Sequence, residues 1–149
     1  MTRIFLSFVL AGAIGTMLAP SDAAAQSAWR TIHSDARMTV ALDTTRIRTS
    51  DEGSYVVFVR WDYATPRRAE SRRDYTRMVQ QVQVKCSPIR VKRIGASLYS
   101  SQGRVVEEVP PVSRRILGNM AWDPPRAGSE GARVYPTVCQ ALTRRPVRG

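Results

Sequence analysis

Apolar and polar residues alternate along most of this chain, and a period of two residues is the signature of a half-buried strand. From Tyr75 to Cys86 the alternation puts Met78, Val82, Val84 and Cys86 on one face and Arg77, Gln81, Gln83 and Lys85 on the other. Gln80 interrupts the apolar face. Ser54 to Tyr63 carries the strongest strand signal, with Tyr55, Val57, Val59, Trp61 and Tyr63 on one side and Val56, Phe58, Arg60 and Asp62 on the other. Its aromatic row reads as core, and the strand is expected near the centre of a sheet.

Shorter strands are predicted over Trp29 to His33 and Met38 to Leu42, followed by Asp43-Thr44-Thr45 as a turn or short helical start. Asp51-Glu52-Gly53 supplies a tight turn before Ser54. Pro88 ends or bends the Tyr75–Cys86 strand, since it has no N–H for a ladder. Ile89 to Tyr99 reads as the next strand, with Ile94, Ala96 and Leu98 on one face and Gly95 marking a bulge or close backbone approach. Ser101-Gln102-Gly103 turns the chain into a short strand from Arg104 to Val109, whose Glu107 and Glu108 point to opposite faces.

Pro110-Pro111 breaks the sheet, and the stretch to Pro124-Pro125 is expected to be irregular, anchored by Trp122. Beyond it the period changes. Val134, Val138, Cys139 and Leu142 fall at helical spacing, behind Ser129 as N-cap and Glu130 in a first turn where negative charge suits the helix dipole. Pro136 predicts a kink near Tyr135 or a helix that restarts, because it removes the bond to the carbonyl of Ala132.

The N-terminus reads as an export leader. Arg3 precedes an apolar run from Ile4 to Leu18, and Ala23-Ala24-Ala25 satisfies the small-x-small cleavage rule, so cleavage is expected after Ala25. The run is short for a retained membrane anchor, no later segment is apolar enough to span a bilayer, and no cysteine at the junction could take a lipid. The expected organisation is a signal peptide over 1–25, one domain over 26–143 and a basic disordered tail over 144–149, in a periplasmic or secreted protein.

Export changes the meaning of the two cysteines. In an oxidising compartment a lone pair, Cys86 and Cys139, is more often a disulfide than a metal or catalytic site. A metal would need more ligands, and the sole histidine, His33, has no second His or acid pair beside it, so no cofactor is expected. Closing a loop of about 54 residues would add about 4 kcal/mol of stability in the chain-entropy treatment.

Composition fits one globular domain: 149 residues, 43% hydrophobic and 23% charged, with 23 Lys and Arg against 12 Asp and Glu for a net charge of +11. That balance favours anionic partners. It is also spread widely, with Lys85 and Lys92 the only lysines, and so fits an unspecialised basic surface as well. The densest basic stretch lies between Tyr63 and Tyr75, expected to be a solvated loop. There Arg67, Arg68, Arg72 and Arg73 put four arginines within seven positions, a set able to grip phosphate, sulfate or carboxylate by paired hydrogen bonds. Nucleic-acid motifs, phosphate-binding glycine loops and nucleophile triads are absent from the sequence, and export lowers the case for a DNA or RNA partner.

Trp29-Arg30, the segment from Asp43 to Arg48, the strand from Tyr55 to Tyr63, Cys86-Ser87-Pro88-Ile89-Arg90, the segment from Tyr99 to Val106, Trp122 and Val138-Cys139 together resemble the surface-adhesin protein E family. The resemblance implies a six-stranded antiparallel sheet with a C-terminal helix held on its concave face by the disulfide, an α+β fold in agreement with the segments above. It also implies dimerisation and a non-enzymatic role in binding matrix proteins and plasminogen. The expected function is an exported binding protein for protein or anionic glycan partners in the envelope or matrix. The alternatives are a small secreted hydrolase acting on an anionic substrate through His33 and Glu107, or an envelope structural or assembly factor.

Overall fold

The computed structural model describes residues 28–50 and 52–144; the leader read at 1–25 and the end of the basic tail lie outside the described residues. Seven strands form one antiparallel sheet: β1 (Trp29–Ser34), β2 (Met38–Asp43), β3 (Arg48–Thr49), β4 (Tyr55–Arg68), β5 (Asp74–Cys86), β6 (Ile89–Tyr99) and β7 (Val105–Val109). The order across the sheet is β1-β2-β4-β5-β6-β7, and the two-residue β3 pairs with the start of β4 beside β2. β4 is therefore interior, as its two-sided pattern requires.

Turn chemistry accounts for the hairpins into β2, β4 and β7. Asp35 accepts the backbone N–H groups of Arg37 and Met38 between β1 and β2. Gly53 and Gly103 take φ of 67° and 77° in the turns before β4 and β7, a region open to glycine at no steric cost. Asp43 closes a turn, with no helical start: its Oδ1 accepts the N–H groups of Thr45 and Arg46.

The pairing registers assign the faces. Val57 lies beside Val82, Trp61 beside Met78, and Val84 beside both Tyr55 and Val91, so these share one face with Met38, Val40 and Leu42 of β2. α2 (Glu130–Thr143) covers that face and inserts Val134, Tyr135, Val138, Cys139 and Leu142 into the core. Ser129 caps it, accepting the N–H of Ala132 at 3.2 Å. The Cys86–Cys139 disulfide, with Cα atoms 5.5 Å apart, ties the end of β5 to the C-terminal half of the helix.

Three expectations are corrected. Of the two outcomes expected at Pro136, a kink or a restart, the restart does not occur: α2 runs as one helix from Glu130 to Thr143 with that proline on its exposed side. Burying Val134, Val138 and Leu142 contributes ~5–9 kcal/mol, more than the ~3 kcal/mol an internal proline costs. The loop expected between Tyr63 and Tyr75 is mostly strand. β4 runs on to Arg68, because the register slips between Asp62 and Arg67 and so carries Pro66 through a stretch with no regular ladder pairing. The stretch after Pro111 contains a short helix, α1 (Arg114–Asn119), capped by Ser113. Trp122 does anchor this stretch, but between charges: the ammonium groups of Lys85 and Lys92 lie 4.5 and 4.6 Å from its ring centroid.

Gly95 meets both expectations placed on it. The β5–β6 register slips between Gln81 and Val82, opposite Ile94, and a Cβ on Gly95 would stand 2.9 Å from the carbonyl oxygen of Val109. The slip also turns Arg93, beside Val82, onto the face that carries α2.

Candidate functional site

On the face opposite α2, β4 and β5 present Phe58, Arg60 and Asp62 beside Gln81, Val79 and Arg77. Trp29, at the same level of β1, joins them through the pairing of β1 to β2 and β2 to β4. A guanidinium can lie flat on an aromatic ring, attracted by the negative face of the π system. The Arg46 Cζ is 4.1 Å from the Phe58 ring centroid and 5.9 Å from that of Trp29, and the Arg60 Cζ is 5.2 Å from Trp29.

Carboxylates fix these arginines from below. Asp62 accepts from the Nε of Arg60 at 2.8 Å and from the Nε of Arg77 at 2.5 Å, one on each oxygen. Asp43, 2% exposed, accepts from the Nε of Arg46 at 2.5 Å. Burial pushes the Asp43 carboxyl up, but the hydrogen bonds from Arg46 and Thr45 and the Arg46 charge outweigh it and hold its pKa below the usual 3.8. Each arginine thus uses its Nε–H on the protein, and its terminal N–H groups have no hydrogen-bond partner among the described residues. Arg46 and Arg77 keep 51% and 46% of their side-chain surface exposed, so those donors are available to an external oxyanion. A shallow depression of about 410 Å³ separates Trp29, Phe58 and Arg60 from Tyr99.

The four arginines singled out from the sequence sit at the β4–β5 hairpin tip. Arg67 pairs with Glu130 and lies 4.1 Å from the Tyr63 ring centroid, and Arg68 pairs with Asp74 at 3.1 Å. Arg72, at φ 60°, and Arg73 are exposed and have no ion pair among the described residues. The tip therefore offers two unpaired arginines, not four. Neither Arg60 nor Arg77 stood out in the sequence, because a charge on the polar face of an alternating strand looks like ordinary solvated surface. The signal that could have found them was Arg60-x-Asp62 facing Arg77 on one side of adjacent strands.

The chain matches the model of the family described as surface-adhesin protein E over residues 29–140. It belongs to that family. Comparisons with curated proteins and with solved structures gave no match. The surface-adhesin protein E match begins at the first residue of β1, takes in the whole sheet and both cysteines, and ends within α2. Membership makes the chain an adhesin by family and accords with export.

The residues of the hydrolase alternative do not meet in this surface-adhesin protein E fold. His33 is on β1 and Glu107 on β7, opposite edges of the sheet with four strands between them. His33 lies 3.2 Å from Asp35, while Glu107 accepts the backbone N–H of Ser71. Among the described residues, no group of three or more His, Cys, Asp or Glu is placed to hold a metal ion. No helix among them is long and apolar enough to cross a membrane.

Proposed function

We propose that this protein is an exported, non-enzymatic adhesin that binds carboxylate- or sulfate-bearing surfaces through the arginine and aromatic face of its sheet. The observation that carries the reading is Asp62, which holds Arg60 and Arg77 side by side through one oxygen each. Two guanidiniums fixed in this way lose less side-chain entropy on meeting a second oxyanion than two free ones do. Trp29, Phe58 and Tyr99 add apolar contact around them. The net charge of +11 steers acidic partners toward the protein from a distance, and Arg72 and Arg73 at the hairpin tip extend the basic surface.

Acidic protein and sulfated glycan share this chemistry, and immobilised ligands separate them. Mature protein beginning at Gln26 is passed over heparin, de-sulfated heparin and an acidic matrix protein at low and high salt. Binding is expected to weaken as salt screens exposed charge over about 8 Å at physiological ionic strength. The Arg60→Gln/Arg77→Gln variant is expected to lose about tenfold in affinity, and Arg72→Gln/Arg73→Gln less, since those two side chains are not held in place. Retention on heparin alone identifies a glycan, and retention on the protein alone identifies a protein ligand. Equal binding by the wild type and the Arg60/Arg77 variant at both salts, or no binding to any surface, overturns the reading.

A further inference from the structure

On the covered face, α2 leaves a cleft over the sheet near its own N-terminus. Trp61 and Tyr63 of β4, Met78 and Gln80 of β5 and Arg93 of β6 line it from the sheet, and Tyr135 lines it from the helix. The third wall is the chain from Met120 to Arg126, pinned to β6 where Val91 and Asp123 exchange backbone hydrogen bonds of 2.9 and 3.2 Å. The cleft is partly open to solvent, and its volume is about 600 Å³, within the span typical of small-molecule sites.

The polar groups of this cleft are unevenly matched. Trp61 is 3% exposed, and its indole Nε1–H, buried behind the cleft wall, has no acceptor among the described residues. Gln80 interrupts an otherwise apolar strand face; its Oε1 accepts the Tyr135 hydroxyl at 3.4 Å, and its Nε2 has no partner among the described residues. Burial lifts the Tyr135 hydroxyl to about 12, and the positive charge of Arg93 pulls in the opposite direction, so this guanidinium acts on the same corner. Neither Arg93 nor Arg126 forms an ion pair among the described residues. Of the two carboxylates in the lining, Glu130 is engaged by Arg67, and Asp123 is exposed with no ion pair among the described residues. The Gln80 Nε2, Arg93 and Arg126 thus offer more unmatched donors than the one free carboxylate, Asp123, can take up, beside an aromatic and thioether surface.

We propose that the cleft binds a small amphipathic carboxylate, its apolar body against Trp61, Tyr63 and Met78 and its carboxylate on Arg93. An apolar neutral molecule would leave the donors unmatched, and a compact polyanion would leave the aromatic wall uncovered. The free Nε2–H of Gln80, on a buried strand face, is a second donor for the bound oxygen. The β-bulge at Ile94 is what brings Arg93 to this face, and bulges commonly re-aim a side chain beside a binding site. This site lies across the sheet from the proposed adhesive surface, so either can fail alone.

Decanoate below its micellar concentration serves as the probe, with decanol as its uncharged counterpart. The expected result for oxidised, mature protein is saturable binding by calorimetry, with the Trp61 indole N–H resonance moving in step with occupancy. Arg93→Gln, at an exposed position that tolerates the change, should weaken decanoate about tenfold and leave the melting temperature unchanged. Decanol should bind at least tenfold more weakly than decanoate. A Trp61 resonance that stays still at millimolar decanoate, equal affinity for decanol, or full decanoate affinity in folded Arg93→Gln would each overturn the proposal.

Discussion

Arg67, in the last turn-facing stretch of β4, pairs with Glu130 in the first turn of α2 across 63 positions of sequence. The contact fastens the N-terminal end of the helix to the hairpin tip, at the opposite end of α2 from the disulfide's half. It also places a carboxylate where the helix dipole favours one, and removes Arg67 from the set of free cations. Both side chains keep solvent contact, at 42% and 25% exposure, which limits the strength of the pair. Glu130→Gln should therefore cost about 0.5–1 kcal/mol at low salt, and the difference from wild type should shrink at high salt, as read by urea unfolding.

The disulfide carries more. Its two half-cystines are 53 positions apart, and opening that loop would lower the free energy of the unfolded chain by about 4 kcal/mol in the chain-entropy treatment. Cys139→Ser should lower unfolding stability by that order, and thiol titration of unreduced, denatured wild type should find no free thiol.

Gly95→Ala is expected to destabilise through the fold's edge. The added Cβ would stand 2.9 Å from the carbonyl oxygen of Val109 and 3.1 Å from backbone atoms of Pro111, none of which is a flexible side-chain end. β7 and the start of the following segment must shift, at about 1–3 kcal/mol. Faster amide exchange in β7 than in β4 would locate the damage.

Asp43 predicts a pH dependence. Its folded pKa is depressed, so its contribution is present above the ordinary value of 3.8 and lost as pH falls through the folded value. Asp43→Asn should cost about 2 kcal/mol at neutral pH, where Arg46 and Thr45 lose a charged acceptor, and progressively less in acid. Parallel denaturation curves from pH 7 to pH 2 give the comparison; a constant gap would mean that the carboxylate charge is not what Asp43 contributes.

Much of the site chemistry was hidden from the sequence for a definable reason. Arg67, Arg68, Arg72 and Arg73 stand out because they are close in sequence, yet Glu130 and Asp74 occupy the first two. Arg60 and Arg77 lie 17 positions apart and become neighbours only through the β4–β5 register, with Asp62 between them. Arg93 was hidden more deeply: strict alternation from Ala96 and Leu98 assigns it to the other face, and the slip opposite Ile94 reverses that assignment.

The sequence by itself determined what depends on local periodicity and backbone chemistry. The main strands, the Ser129 cap, the buried stripe of α2, the turn at Gly103 and the pairing of two cysteines all follow from residue spacing, capping and the absence of any other thiol. Tertiary structure decided what depends on competition between distant groups. The continuity of α2 through Pro136 is set by the core against which its far side lies, and the extension of β4 past Pro66 by a register slip that β5 shares. Which arginines remain free is set by where the few carboxylates of a basic chain come to rest, and that is a property of contacts between strands and helix, not of neighbours in sequence.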